Sequence, residues 1–283
     1  MDMKDRNLET FGSYRAWLVK KGTWFINFMG GRQNIYLLEG NERALLIDTG
    51  YGTGTLRHFV ESLTDKPVIA ANTHFHRDHA GGNGEFEEVF MSKGALIDAE
   101  EWIHDRLPFD LSSLPHSGYR KRFLSDGDTI DLGGRVIEVL EAKPAHCCSS
   151  LFFLDRTGGN LFSGDELEAG QVLMYINHMK EGNTLPIRER ISNMRSNTKR
   201  LLDISDEFEW LLPCHNGFPI DKSYIDDFIG LTENILAGKA TTEKKLNHPV
   251  IEQLPIARLL SRVSYKKASI FMRDTDLHDL SLI

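Results

Sequence analysis

Apolar runs and their spacing divide the chain into strands and helices. Asn34-Ile35-Tyr36-Leu37-Leu38 and Ala44-Leu45-Leu46-Ile47, joined by a turn at Gly40-Asn41, predict a β-hairpin of apolar strands. Leu56, Phe59, Val60 and Leu63 recur at i, i+3, i+4 and i+7, the stripe of a helix lying on a sheet. Val68-Ile69-Ala70-Ala71 follows as a short buried strand that runs into Asn72-Thr73-His74. A second batch of strands at Val136–Leu140, Leu151–Leu154 and Asn160–Ser163 is punctuated by turns at Gly133-Gly134 and Asp155–Gly159, which predicts consecutive hairpins. Helical spacing returns over Ile187–Leu202 and Tyr224–Leu236, on either side of the strand Trp210-Leu211-Leu212. Strands in two batches, each followed by helices, predict two mixed sheets packed face to face with helices outside.

Two segments break this pattern. Glu100 to Ser125 has no clean period and is read as an insertion or lid over a site. Beyond Ala240 the chain becomes rich in Lys, Asp and Arg, with one further strand expected at Ala268–Met272. Residues 1–240 are therefore assigned to one catalytic domain and residues 241–283 to an extension packed on it.

Net charge narrows the partners. At −8 over 283 residues, with 33 Lys and Arg against 41 Asp and Glu, the global field repels polyanions. A small-molecule substrate fits this better than nucleic acid. Three cysteines, of which Cys147 and Cys148 are adjacent, argue against a secreted disulfide framework and for a reducing cytoplasm. Met1 to Thr10 is charged and there is no run of about 18 apolar residues, so a soluble chain without a membrane partner is expected.

The chemistry concentrates in His74-Phe75-His76-Arg77-Asp78-His79, four potential metal ligands within six positions directly after a strand. Alternate residues of an extended segment point the same way, so His74 and His76 can reach one ion while Asp78 and His79, past the bend, reach another. His146, Asp165 and His215 are single residues that each follow a strand, and they gain interest because the cluster needs partners. Gly164, before Asp165, permits the backbone to crowd a site.

The order His-x-His-x-Asp-His, then His146, then Gly164-Asp165, then His215 resembles the metallo-β-lactamase superfamily over about Asn34 to Gly217, including the turn Asp48-Thr49-Gly50. The resemblance implies an α+β fold, a four-layer αββα sandwich of two mixed sheets with the site at one edge between them. It implies that His74, His76 and His146 hold one metal, that Asp78, His79 and His215 hold a second, and that Asp165 bridges both. Asp48 is expected to order the ligand loop without touching metal. Ala145 before His146, Cys147-Cys148-Ser149-Ser150 after it, and Cys214 before His215 depart from the family pattern but leave the ligands intact. The cysteines are read as small buried packing residues.

The implied cofactor is a pair of divalent ions, zinc first, with iron or manganese accepted by the same donors. Such a pair shares a water, lowers its pKa toward about 7 and polarises a carbonyl or phosphoryl group. Asp78 is assigned a catalytic role as well, orienting the resulting hydroxide. Asp165 argues against a true β-lactamase, since those enzymes of the superfamily lack the bridging carboxylate, and lactonases of the superfamily usually carry a tyrosine where Glu168 stands. Diiron flavoproteins have a glutamate in place of His76, and the basic pattern of glutathione thioesterases is missing from the C-terminal part. The expected reaction is hydrolysis of a small ester, thioester or lactone; the alternatives are a phosphodiesterase or nuclease on the same centre, or a metal-binding protein without turnover. Tyr175 and His178 are expected to line the pocket, and a homodimer stays open.

Overall fold

The computed structural model describes residues 14–20, 22–28, 33–52, 54–102, 118–174, 185–248 and 251–282. The first sheet holds β1 (Tyr14–Lys20), β2 (Thr23–Phe28), β3 (Gln33–Glu39), β4 (Ala44–Ile47), β5 (Val68–Ala71), β6 (Glu88–Ser92) and β7 (Arg120–Leu124), in that spatial order. Strands β1 to β4 form an antiparallel meander, and β4 to β7 run parallel. Helices α1 (Leu56–Leu63), α2 (Arg77–Ala80) and α3 (Ala95–Trp102) connect the parallel strands. The second sheet has the order β13-β11-β10-β9-β8, built from β8 (Thr129–Asp131), β9 (Val136–Glu141), β10 (Leu151–Asp155), β11 (Asn160–Gly164) and β13 (Trp210–Pro213). Helices α4 (Ile187–Asp203) and α5 (Ser223–Leu236) cover its outer face.

Residue alternation explains the layering. In β3, Ile35 and Leu37 face α1 while Tyr36 and Leu38 face the second sheet; in β10, Leu151 and Phe153 face the first sheet while Phe152 and Leu154 face α4 and α5. Both faces are buried, so the strands read as unbroken apolar runs, and the period of two only decides which layer each side chain joins. The four-layer sandwich expected from the sequence is thus the observed one.

Two elements depart from the sequence reading. Glu100 to Ser125 is not irregular throughout: α3 runs to Trp102, and Arg120–Leu124 is β7, an edge strand paired with β6. Its Arg120, Lys121 and Arg122 are exposed, the charged dress of a sheet edge, which hides the strand from an apolar pattern. Residues 103–117 of that segment, with His104 and His116, lie outside the described residues. A small third sheet is also present, with the order β12-β16-β15-β14, made from β12 (Val172–Leu173), β14 (Thr241–Glu243), β15 (Leu260–Tyr265) and β16 (Ala268–Arg273), and followed by α6 (Asp274–Asp279). The expected strand at Ala268–Met272 is β16.

At one end of the sandwich a buried arginine staples the two main sheets. Arg135 Nη2 donates to Asp155 Oδ2 at 2.5 Å and Thr23 Oγ1 at 2.7 Å, and Nη1 donates to the carbonyls of Gly22 and Glu39. Arg135→Ala removes the counter-charge of the fully buried Asp155 carboxylate, leaving it only the neutral donors Gly158 N–H and Asn160 Nδ2, and is expected to cost about 3–5 kcal/mol, read by chemical denaturation. Metal content should not change, because Arg135 binds at Glu39, the last residue of β3, whereas Gln33 and Asn34 at the other end of that strand are the ones that bond the carbonyls of Asp78 and Pro213; a loss below about 1 kcal/mol would refute the staple.

Candidate metal centre

The seven residues singled out in the sequence meet at the other end of the sandwich, where β5, β11 and β13 stop. The loop after β5 carries His74 and His76 into α2, which holds Asp78 and His79; His146 follows β9, Asp165 follows β11 and His215 follows β13. His74 Nε2 and His146 Nε2 each lie 3.1 Å from His76 Nδ1. His79 Nε2 is 3.2 Å from His215 Nε2, and Asp78 Oδ2 is 3.2 Å from His215 Nε2 and 3.5 Å from His79 Nε2. Between the two groups sits Asp165 Oδ2, 3.5 Å from the Nε2 atoms of His79 and His215 and 3.8 Å from those of His74 and His146.

Donor atoms at 2.0–2.1 Å from a tetrahedral ion stand about 3.3 Å apart, and these separations bracket that edge. Proton bookkeeping gives the same answer. Thr73 Oγ1 gives its proton to Asp48 Oδ2 (2.8 Å), so it accepts from His74 Nδ1 (3.1 Å), and His74 Nε2 is left with a lone pair. His146 Nδ1 faces the carbonyl of Leu173 at 3.1 Å, an acceptor only, so its Nε2 is also a lone pair. Both lone pairs aim at His76 Nδ1, which has at most one proton to give. Asp165 Oδ1 is buried without a hydrogen-bond partner among the described residues. Excess lone pairs and a buried carboxylate fit a cation.

Electrostatics sort the imidazoles. Burial holds His74 well below its ordinary pKa and His146 down at about 3, the neutral form that a ligand requires. Burial opposes charge on His79 and His215 too, but the carboxylates of Asp165 and Asp78 outweigh it, drawing His79 well upward and His215 to about 10. Glu168, held by Asn216 Nδ2 at 2.6 Å, is pushed up by burial and then by Asp165. The cluster is a field arranged around positive charge.

Asp48 is the hub beneath it. Fully buried, with a backbone φ of 65°, it accepts the Thr73 N–H at Oδ1 (2.7 Å), and at Oδ2 the Thr73 hydroxyl, His79 Nδ1 (2.9 Å) and the Cys214 thiol (3.0 Å). Backbone crowding is real at Gly164: a Cβ there would sit 2.9 Å from Thr73 Cβ, so the Asp165 loop can approach only as glycine.

The sequence reading named Asp48 and Gly164 but not the bonds that further residues make around them. Cys214 does more than pack, since its thiol donates to Asp48, and Cys148 is only half-buried. Asn34 Nδ2 donates to the carbonyls of Pro213 and Gly217, and Tyr36 Oη to Pro213, fixing the His215 loop. One stripe of α4 secures the carbonyls before and at His146: Arg190 donates to Ala145 and His146, Asn193 to Pro144 and Asn197 to Lys143. A polar i, i+3, i+7 spacing on an otherwise amphipathic helix was the available signal. Glu166 Oε1 accepts the His146 N–H at 3.1 Å, and burial pushes its carboxyl up to about 7. Tyr175 and His178 lie outside the described residues.

The family model of the metallo-beta-lactamase superfamily matches residues 29–224. The chain belongs to that superfamily, and it is one of its hydrolases. It is similar to the acyl-coenzyme A thioesterase MBLAC2 of Gallus gallus, 29% identical over 226 residues that cover 69% of this chain and 76% of the relative. The Homo sapiens MBLAC2 is 28% identical over 229 residues, covering 69% and 77%. A metallo-beta-lactamase from Pontibacter korlensis shares the fold with a TM-score of 0.59 and 21% identity, covering 78% of this chain and 99% of that one. Among the described residues no helix of this superfamily member is long and apolar enough to cross a membrane.

Proposed function

We propose that this hydrolase cleaves thioesters of small acyl groups at a centre of two divalent ions, zinc first. His74, His76 and His146 hold one ion, Asp78, His79 and His215 the other, and Asp165 lies between them. The observation that carries the reading is the convergence of these seven side chains with donor atoms 3.1 to 3.8 Å apart. The thioester class is supported by the similarity to proteins named acyl-coenzyme A thioesterases.

When bound, such a pair of ions would supply a water of lowered pKa, toward about 7, and an electrophile for the thioester carbonyl. Asp78 is the more accessible carboxylate, its side chain 23% exposed against 8% for Asp165, so it can accept a hydrogen bond from the attacking water and set its direction. Burial works against its charge, but His79 and His215 hold its carboxyl well below the usual range and keep it an acceptor. As the C–O bond forms and the C–S bond breaks, the electron pair leaves on sulfur. A thiol of pKa about 8.5 is a good leaving group at neutral pH and needs little help from a protein acid.

The test strips the purified chain with chelator, reloads it with zinc, manganese or iron, and assays an acyl-coenzyme A, an acylglutathione, a lactone and a phosphodiester. Thioester turnover should vanish on stripping and return as about two ions per chain are bound. Full metal loading with turnover of the phosphodiester alone, or of nothing, would overturn the proposal.

A further inference from the structure

The family match ends at residue 224, so β14, β15, β16 and α6 lie beyond it. They are nonetheless built into the centre. Strand β12 pairs with β16 in parallel, Val172 with Ile270 and Leu173 with Phe271. Alternation then buries the two sides differently: Val172 and Met174 join Ile270 and Met272 in the core under α4 and α5, while Leu173 packs with Phe271, Leu246, Ile251 and Leu260. Upstream, the buried Ser269 hydroxyl donates to the carbonyl of Gly170. The stretch from Gly170 to Leu173 is therefore held by β16 at one tether and two register pairs. Its Leu173 carbonyl is the acceptor that faces His146 Nδ1.

We infer that the C-terminal extension is a positioning device for the metal centre: β16 templates β12 so that the Leu173 carbonyl fixes the ring orientation and the Nδ1–H tautomer of His146. The inference rests on the reading of His146 as a ligand. A carbonyl only accepts, so it permits one tautomer and turns the Nε2 lone pair toward His76 Nδ1 and Asp165 Oδ2. Partners of this kind, which hold a ligand's far nitrogen, alter metal affinity about 10- to 100-fold when disturbed. Two other histidines take an Nδ1 partner from the first sheet's own loops: Thr73 serves His74 and Asp48 serves His79. His146 alone among these three depends on residues outside the matched family region, so damage to β16 should fall on one ion and spare the other.

The experiment uses the full-length chain. Phe271→Ala removes the side chain that seats Leu173, and Phe59→Ala, an equally buried phenylalanine under the first sheet, controls for lost stability. Zinc affinity is measured by competition with a chelator, and ring tautomers by 15N NMR of the histidines. Phe271→Ala should weaken one zinc equivalent about tenfold or more, leave the second unchanged, and, in the metal-stripped protein, convert the His146 ring from a single Nδ1–H form to a mixture. Phe59→Ala should keep both ions. Ser269→Ala, which removes one hydrogen bond and almost no volume, should shift the same equivalent in the same direction, and it decides the matter if Phe271→Ala does not fold. Wild-type zinc affinities and an unchanged His146 ring in the folded β16 variants would overturn the inference while leaving the metal reading intact; a wild-type chain that binds no zinc would defeat the metal reading itself.

Discussion

Replacing Asp165 by alanine is expected to lower turnover roughly a hundred- to a thousandfold and to reduce the bound metal from two ions to one or none. The reason is geometric. Asp165 Oδ2 lies within 3.5–3.8 Å of four imidazole nitrogens, two from each ligand group, and no other carboxylate among the described residues is placed between the groups in this way. Its charge is also the largest of the attractions that lift His215 to about 10 and His79 upward against burial. Without it, Asp78 would be the one remaining carboxylate among the described residues against a metal-facing Nε2, with Asp48 behind His79 at Nδ1, and low local dielectric would make the repulsion between two bound cations severe. Asp165→Asn keeps the shape and removes the charge, so it should share most of the defect. Elemental analysis and steady-state kinetics on both variants check this. Asp165→Ala with two ions and wild-type turnover would mean that the ions, if bound, do not share this carboxylate.

The candidate site was legible because four of its seven residues fall in His74–His79, where density alone stands out, and because each distant one follows an apolar strand that ends at the same edge. Layer order was legible for a related reason: strands buried on both faces, such as β3 and β10, leave unbroken apolar runs. What sustains the site was not legible. A backbone acceptor such as the Leu173 carbonyl leaves no mark in the side-chain sequence. Cys214 looks like a small hydrophobe until its thiol is found against Asp48. Strand β7 hides behind Arg120, Lys121 and Arg122, since a sheet edge is selected for charge and not for apolar content. The pairing of β12 with β16 joins residues nearly a hundred positions apart through two register pairs, too few to generate a pattern.

Asp48→Asn is expected to weaken metal binding about 10- to 100-fold and to destabilise the protein by several kcal/mol even when no metal is added. Asparagine adopts the left-handed backbone that the φ of 65° demands about as well as aspartate does, so the substitution isolates the carboxylate from the turn. Aspartate receives donors at both oxygens: the Thr73 amide on Oδ1, and the Thr73 hydroxyl, His79 Nδ1 and the Cys214 thiol on Oδ2. An amide nitrogen in place of either oxygen turns an acceptor into a donor. With Nδ2 at the Oδ2 position, three buried donors lose their acceptor, each at about 1–3 kcal/mol. With Nδ2 at the Oδ1 position, the Thr73 amide is stranded and the charge that stabilises the His79 N–H is gone. In the first case His79 can flip its proton to Nε2, the atom that faces Asp78, Asp165 and His215, and the Thr73 hydroxyl no longer has reason to accept from His74 Nδ1. One buried carboxylate thus sets the tautomers of a histidine in each ligand group, which is why the predicted loss covers both ions, in contrast to the one-ion loss expected from β16. Chelator competition for each equivalent and denaturation of metal-stripped protein measure the two effects separately; loss of affinity for a single ion, or none, would show that Asp48 serves the fold and not the centre.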